Sequence, residues 1–490
     1  MNKSEIKKKT FSGVFWKLME RIIAQGITFI VSLVIARILS PTEYSIVGIV
    51  TVFFNFANVF IIGGLNTALI QKKNVDALDY STVLYESLFA SVIIYVILFF
   101  CAPIISDIYN QEMLVDMIRI MGLSLPITAI QSVWCSFIST KLLFKKFFFA
   151  TLGGSIISGV VGLYMALNSY GVWSLVAQQM TNIIIDTMIL VASTRIGLML
   201  RFSWKRFKNL FSYAWKIFVS SLIGTTYTEI SPLVIGIKFR PSDLSFYTKG
   251  KEFPYMLSAT ATSTISSVLF PVLAKFQDDK KRILDYTRLY VKLASFVCFP
   301  IMLGFFAVSE NFVYVVLTDK WLPAVYYIRV FCVCSMFDVV AIGNCETIKA
   351  IGRSDVYLII EIIKKTGYFV TLFLFIICSD SAHTLALAYV VCTVIQVIVN
   401  SIPNIRLIDY GIKNQIVDLL PNLIASIIMC VITVVLGKIF PLGLMALGIQ
   451  IVVGMAVFLL ICVASKNRSF YYFWDTYKSF VSSRRKKNNE

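Results

Sequence analysis

Lys17, Arg21, Gln25, Thr28 and Ser32 are separated by four, four, three and four residues, which puts all five on one face of a helix. A stripe headed by two cations and continued by amide and hydroxyl groups suits an anion with polar attachments. The same kind of face returns about 200 residues later as Lys216, Ser220, Gly224, Tyr227 and Ser231. Thr51, Asn55 and Asn58 form a third polar face, and Lys249 and Lys251 precede a small-residue run from Ser258 to Thr264. Such a run permits close helix approach or lines water. The candidate anion contacts are Lys17, Arg21, Lys216, Lys249 and Lys251, with Gln25, Asn55, Asn58 and Tyr227 as polar lining. Phosphate is the common biological anion that such groups bind.

Other readings of these residues stand beside this one. Lys17 and Lys216 begin their helices, and Lys249 and Lys251 lie near a membrane edge, where long cations snorkel to water. Glu20 and Glu229 are the two candidate coupling carboxylates. Glu20 also stands i,i+3 from Lys17 and can neutralise it, while Glu229 points well away from the Lys216 stripe, toward another helix. Glu361 and Lys365 read as a self-satisfied i,i+4 pair, and Glu86, Asp186, Asp338 and Glu346 as packing or capping groups.

The elements that must carry these residues are membrane spans. With 490 residues, 58% of them hydrophobic, and only 15% charged, the chain is too apolar for a soluble protein of its size. A span needs roughly 20 mostly apolar residues. Fourteen candidates centre near residues 24, 55, 94, 127, 158, 183, 224, 260, 298, 336, 367, 393, 426 and 453. The first is long, carries charges and lacks a small-residue cleavage site, so it is expected to stay in the membrane. An even count puts both termini on one side, and the basic residues say which. About thirty of the 45 lysines and arginines fall in the tails and alternate loops, including Lys7-Lys8-Lys9, Lys72-Lys73, Lys145-Lys146, Lys205-Arg206 and Arg484 to Lys487. The opposite loops hold Arg37, Lys238, Arg240, Lys320 and Lys438. Both termini are therefore expected in the cytoplasm, and the net charge of +18 is largely this bias together with attraction to anionic lipid heads rather than to nucleic acid.

An internal repeat organises the spans. Phe11-Ser12 returns as Phe211-Ser212, and Leu33-Val34-Ile35, Pro41, Glu43 and Ser45 return as Leu233-Val234-Ile235, Pro241, Asp243 and Ser245. The pattern predicts two parallel six-helix lobes, 1–205 and 206–410, followed by helices thirteen and fourteen over 411–465 and a basic cytoplasmic tail over 466–490. The last two helices are free to form a lateral lipid groove, a dimer contact or an appendage. All ten cysteines fall in or at the ends of apolar segments without a C-x-x-C pair, and the lone His383 has no partner ligands, so no metal site is expected. With no phosphate loop and no nucleophile elbow, neither cofactor nor catalysis is expected.

The segment Ala36-Arg37-Ile38-Leu39-Ser40-Pro41-Thr42-Glu43-Tyr44 resembles a signature of the polysaccharide branch of the multidrug/oligosaccharidyl-lipid/polysaccharide exporter superfamily. Further resemblances run over Gly64 to Lys72, Gly171 to Val176, Leu269 to Asp279 and Lys320 to Val325. The resemblance implies a MATE-like arrangement of two six-helix bundles plus two helices. It also implies alternating access and transfer of undecaprenyl-pyrophosphate-linked oligosaccharide across the bacterial cytoplasmic membrane, as in Wzx-like O-antigen, capsule and teichuronic-acid exporters. Partners would be the lipid-linked oligosaccharide, membrane lipids, and a glycan polymerase and glycosyltransferases acting beside it. Two departures matter. Where many members carry an Asn-Leu-Asp-Asn run, this chain has Glu229-Ile230-Ser231-Pro232, and where arginine is frequent it has Lys249, which keeps the charge without the bidentate fork. A cation-coupled drug antiporter is the rival within the superfamily, although its cavity would call for carboxylates. A membrane glycosyltransferase or polymerase would need longer catalytic loops than connections of about 15 residues provide.

Overall fold

Serine, proline and glutamate at positions 40, 41 and 43 stop one helix and start the next. The Ser40 hydroxyl accepts from the Glu43 N–H at 3.2 Å, the Glu43 carboxylate accepts from the Ser40 N–H at 2.8 Å, and Pro41 occupies the first turn, where its missing N–H costs nothing. The repeat copies the device with other residues, since Asp243 accepts from the Arg240 N–H at 3.3 Å just before a helix that starts at Pro241. The resemblance signature is thus a sharp corner between two spans.

The computed structural model describes residues 16–475 and 478, apart from 18, 73, 195, 200, 277, 278, 380 and 473. The basic clusters at Lys7 to Lys9 and Arg484 to Lys487 lie outside the described residues, as do the side chains of Arg21 and of the Thr260 to Thr264 run. In chain order the helices are α1 (Gln25–Ile38, preceded by a π-helical turn Glu20–Ala24), α2 (Pro41–Ile62), α3 (Leu65–Gln71), α4 (Ala77–Tyr109), α5 (Met113–Gly122), α6 (Ser124–Lys141), α7 (Phe144–Leu167), α8 (Trp173–Ser193), α9 (Trp204–Lys238) and α10 (Pro241–Lys275). There follow α11 (Lys280–Val316), α12 (Ala324–Met336), α13 (Asp338–Ala350), α14 (Ser354–Cys378), α15 (Ala382–Ile408), α16 (Ile412–Ile439) and α17 (Leu444–Ala464). No strand occurs among the described residues, and all fourteen predicted span centres lie in helices.

Ten helical stretches among the described residues are long and apolar enough to cross a membrane, counting α5–α6 and α12–α13 as one span each. The remaining spans are more polar for identifiable reasons. The first is interrupted by its π-helical turn, α9 carries a Ser/Thr-rich stretch with Glu229, α10 carries Lys249, Lys251 and Glu252, and α14 carries Glu361, Lys364 and Lys365. Polar groups in a bilayer face protein or water rather than lipid, so hydropathy separates these helices from ones with a large exposed apolar surface such as α4, whose Phe100 is 72% exposed.

The chain divides into two compact units, 1–245 and 246–490. In the first, Leu69, Val83, Val133, Ile138, Ala150 and Leu190 form the core between α3, α4, α6, α7 and α8. Gly64 opens α3 at φ +86°, and a Cβ there would meet the Ala214 carbonyl oxygen of α9 at 2.1 Å, so only glycine admits this approach. In the second unit, Val291, Cys298, Phe299 and Met302 of α11 centre a core that also takes in Met429 and Cys430 of α16 and Cys462 of α17. The last two helices are thus built into the second unit. Asn422 donates to the Lys292 carbonyl and to Ser295 at 2.9 Å each, and Asn467 beyond α17 donates to Asn422 at 2.9 Å.

Candidate functional site

In the first unit the polar stripe is rearranged by the π-helical turn. A wider turn stacks residue i over i+5 rather than i+4, and the Gln25 amide accordingly donates to the Glu20 carboxylate at 3.2 Å. Glu20, 3% exposed, also pairs with Lys17 at 3.0 Å. The Lys17 ammonium lies 4.3 Å from the Phe147 ring centroid while its side chain stays half exposed. Further along, Thr28 bonds Ser155 of α7 at 3.0 Å, and Ser32 turns back to the Phe29 carbonyl. Lys17, Glu20 and Gln25 therefore form one cluster, whereas Thr28 and Ser32 serve packing.

Asn55 of α2 donates to Glu229 of α9 at 3.1 Å, so the carboxylate that points away from the Lys216 stripe meets a neighbouring helix of its own unit. The Asn58 carbonyl oxygen is buried without a hydrogen-bond partner among the described residues. Lys216 is exposed, and a Cβ added to Gly224 on the same stripe would meet nothing within 4 Å among the described residues, so this face of α9 is open. Tyr227 is half-buried on it.

In the second unit Lys249 is 3% exposed and pairs with Glu252 at 2.8 Å, while the Lys251 ammonium lies 5.5 Å from the Tyr389 ring. Lys17 and Lys249 thus share a feature, a carboxylate three residues on that neutralises the cation. Elsewhere one pairing differs from expectation. Glu361 binds Lys364 at 2.5 Å, the i,i+3 rather than the i,i+4 neighbour. Glu346 pairs with Lys349, Asp338 accepts from Ser258 at 3.2 Å, and Asp186 accepts from Gln131 at 2.8 Å.

Three features escaped the sequence reading. The first is a recess of about 730 Å³ lined by Gln71, Lys72, Lys205, Arg206, Asn209 and Tyr213. Beside it Asp79, fully buried, binds Lys72 at 2.5 Å and Arg206 at 3.2 Å, and Arg206 also binds Asp76 at 2.8 Å. The Asp79 backbone N–H, with the Arg206 charge, holds the Asp76 carboxyl below its ordinary range. The second is a nearly all-apolar groove of about 610 Å³ walled by Pro300, Gly304 and Val308 of α11, Met429 of α16 and Gly454 and Met455 of α17. Its lining residues Ile301, Ile451, Met455 and Leu459 are 39–57% exposed, so it opens on the lipid-facing surface. The third is a clamp in which Asp418 of α16 receives Arg288 at 2.7 and 2.8 Å, Lys292 at 3.1 Å and the Tyr410 hydroxyl at 3.1 Å. The i,i+4 spacing of Arg288 and Lys292 was a usable signal for the clamp, but nothing local announces the groove. Among the described residues no group of three or more potential metal ligands converges.

The model of a polysaccharide biosynthesis protein family matches residues 34–326. The chain belongs to that family. It is similar over 94% of its length, and 96% of the other's, to a membrane protein encoded in the cps region of Klebsiella pneumoniae, at 22% identity. It is 23% identical to the teichuronic acid biosynthesis protein TuaB of Bacillus subtilis, with 71% of this chain and 73% of that one covered. Among solved structures, the lipid II flippase MurJ in an inward closed conformation superposes with a TM-score of 0.75 at 16% identity, over 93% of this chain and 99% of that one. The chain is a multi-pass, all-α membrane protein with this fold.

Proposed function

We propose that the protein moves undecaprenyl-pyrophosphate-linked oligosaccharide from the inner to the outer leaflet of the bacterial cytoplasmic membrane by alternating access, with both termini in the cytoplasm. The observation that carries this reading is the coexistence of an apolar groove open to lipid with cation-headed polar faces on otherwise membrane-spanning helices. A substrate with a prenyl tail and a pyrophosphate head needs both. The names of TuaB and MurJ, one for a teichuronic acid pathway and one for a lipid II flippase, point the same way.

In this reading the tail runs along the α11–α16–α17 groove, and Lys17, Arg21, Lys216, Lys249 and Lys251 receive the pyrophosphate. Asn55 and Asn58 contact sugar, and Gln25 and Tyr227 add polar lining. Lys17 and Lys249 are held ready by Glu20 and Glu252. An arriving pyrophosphate, with more charge and more acceptor oxygens than a carboxylate, competes for each ammonium. The displaced carboxylate then takes up a proton or another cation, which would couple export to an ion gradient. Glu229, satisfied by Asn55, is the second group placed for such coupling. No step of this cycle makes or breaks a covalent bond, so the protein acts as a carrier, working beside the glycosyltransferases and polymerase that make and use its substrate.

The head-group assignment is tested with inorganic pyrophosphate and the full-length protein in nanodiscs, by calorimetry. Binding should weaken at least tenfold in Lys249→Ala and strengthen in Glu252→Gln, which frees the lysine. Equal affinities in all three proteins would remove Lys249 from the site.

A further inference from the structure

Two adjoining recesses of about 520 and 350 Å³ lie at one end of the second unit and share a single ion pair, Glu310 with Arg329 at 3.1 Å. Both volumes fall within the range of about 300–1,000 Å³ usual for small-ligand sites. The elements that meet there are the C-terminal ends of α11 and α16 and the N-terminal ends of α12 and α15. By the distribution of lysine and arginine, each of these ends faces away from the cytoplasm.

The ion pair is not placed to stabilise the fold. The Arg329 and Glu310 side chains are 34% and 51% exposed, and pairs so open contribute little to stability. Yet its geometry is fixed: the Arg329 Nε donates to Ser309 at 3.2 Å, and the guanidinium lies 5.6 Å from the Phe306 ring centroid. Asn311 on the floor donates to Gln450 at 2.8 Å and accepts from the Gly443 N–H at 3.1 Å, which pins the 440–443 loop over the larger recess. The wall of the smaller one is aromatic. Tyr326 meets the His383 ring edge-on at 4.6 Å, and His383 in turn stacks on the buried Tyr327 at 5.3 Å. Lys438 stands exposed on the rim of the larger recess and forms no ion pair among the described residues.

We propose that this double recess is a carbohydrate-binding subsite on the outer face, which takes the oligosaccharide as it leaves the carrier. A sugar ring offers an apolar C–H face and pairs of neighbouring hydroxyls. An aromatic wall with an apolar body and polar tip matches the first, and rigid, planar, doubly functional side chains such as Arg329 and Glu310 match the second. A lipid tail would find too many polar groups here, and a bare phosphate would leave the aromatic wall unused. With Arg329 and Lys438 against Glu310 alone, a sugar bearing a carboxylate is the better fit, so the substrate class is a hexuronate-containing oligosaccharide. The identity of the sugar's source rests on the export reading, whereas the site itself does not.

The test uses a lipid-free hexuronate-containing tetrasaccharide and the full-length protein in nanodiscs, read by saturation-transfer NMR, so no transport is required. Transfer to the sugar C–H protons should be present in the wild type, retained in Tyr326→Phe, and reduced at least fivefold in Tyr326→Ala and in Arg329→Gln, with thermal midpoints unchanged. Absence of transfer in the wild type, or transfer that survives both losses, would overturn the proposal. A wild-type protein that binds this sugar but moves no glycolipid in vesicles would defeat the export reading and leave the subsite standing.

Discussion

Asp418→Asn should loosen the hold of α11 on α16. The carboxylate is 2% exposed and receives two donors from Arg288, one from Lys292 and one from Tyr410. Asparagine keeps the size but offers one acceptor oxygen and no charge, so at least two of the four donors lose their partner. A hydrogen bond involving a charged group is worth about 1.5–3 kcal/mol, and two of them about 3–6 kcal/mol. Arg288 and Lys292 are 39% and 30% exposed, so water recovers part of that and screens the rest. Halving the figure leaves a loss of about 1.5–3 kcal/mol, at or below the lower side of breaking a buried pair. At roughly 2–4 °C per kcal/mol for a unit of this size, the melting midpoint should fall by about 3–12 °C. A thiol-reactive fluorophore reads the change in a Cys378→Ser background, which removes the exposed thiol of the second unit, because Cys298, Cys332, Cys334, Cys345, Cys392, Cys430 and Cys462 are buried until it unfolds. Arg288→Gln in the same background should add little, since the two groups act as one. A fall of less than about 2 °C would refute the claim that this clamp fastens α16.

Gly304→Leu should block the tail groove without disturbing the fold, because a Cβ there meets only Met429 at an ordinary 3.6 Å; transport of an undecaprenyl carrier is expected to fall at least fivefold while that of a short-prenyl carrier holds. Gly64→Ala should lower the midpoint of the first unit markedly, through about 1–3 kcal/mol of positive-φ backbone strain and the clash with the Ala214 carbonyl, and a midpoint equal to wild type would contradict that packing. Asp76 has a folded pKa below the ordinary carboxylate value, so its contribution is complete above about pH 4 and is lost as the pH falls through the lowered value. The wild type and Asp76→Asn should therefore differ in midpoint at pH 6, with a gap that shrinks as the pH falls below the ordinary carboxylate range, and a gap that widens on acidification would contradict this sign.

The helices at the fourteen predicted span centres were legible because a bilayer demands a residue type over a length, and both can be counted. The corner at Ser40 to Glu43 was legible as a motif, although its physical content, a reciprocal cap with proline in the first turn, emerges only with the hydrogen bonds. The polar stripe of the first span was read on a regular 3.6-residue period, and the π-helical turn at Glu20 to Ala24 broke that assumption, since no residue in Glu-Arg-Ile-Ile-Ala signals a wider turn. That Glu361 chooses Lys364 over Lys365 is a matter of rotamers. The groove between α11, α16 and α17, the Asp418 clamp and the recess around Glu310 and Arg329 each join residues more than a hundred positions apart or from several helix ends. Such contacts are set by tertiary packing, for which a single sequence has no local sign.

The central claim is that this carrier moves a lipid-linked glycan, and the direct measurement is transport of a fluorescent undecaprenyl-pyrophosphate oligosaccharide across proteoliposomes of the purified protein, with a cationic dye as competing substrate. The account predicts movement of the glycolipid that is lost in Lys249→Ala and indifferent to the dye. Export of the dye with the glycolipid left in its original leaflet would contradict it.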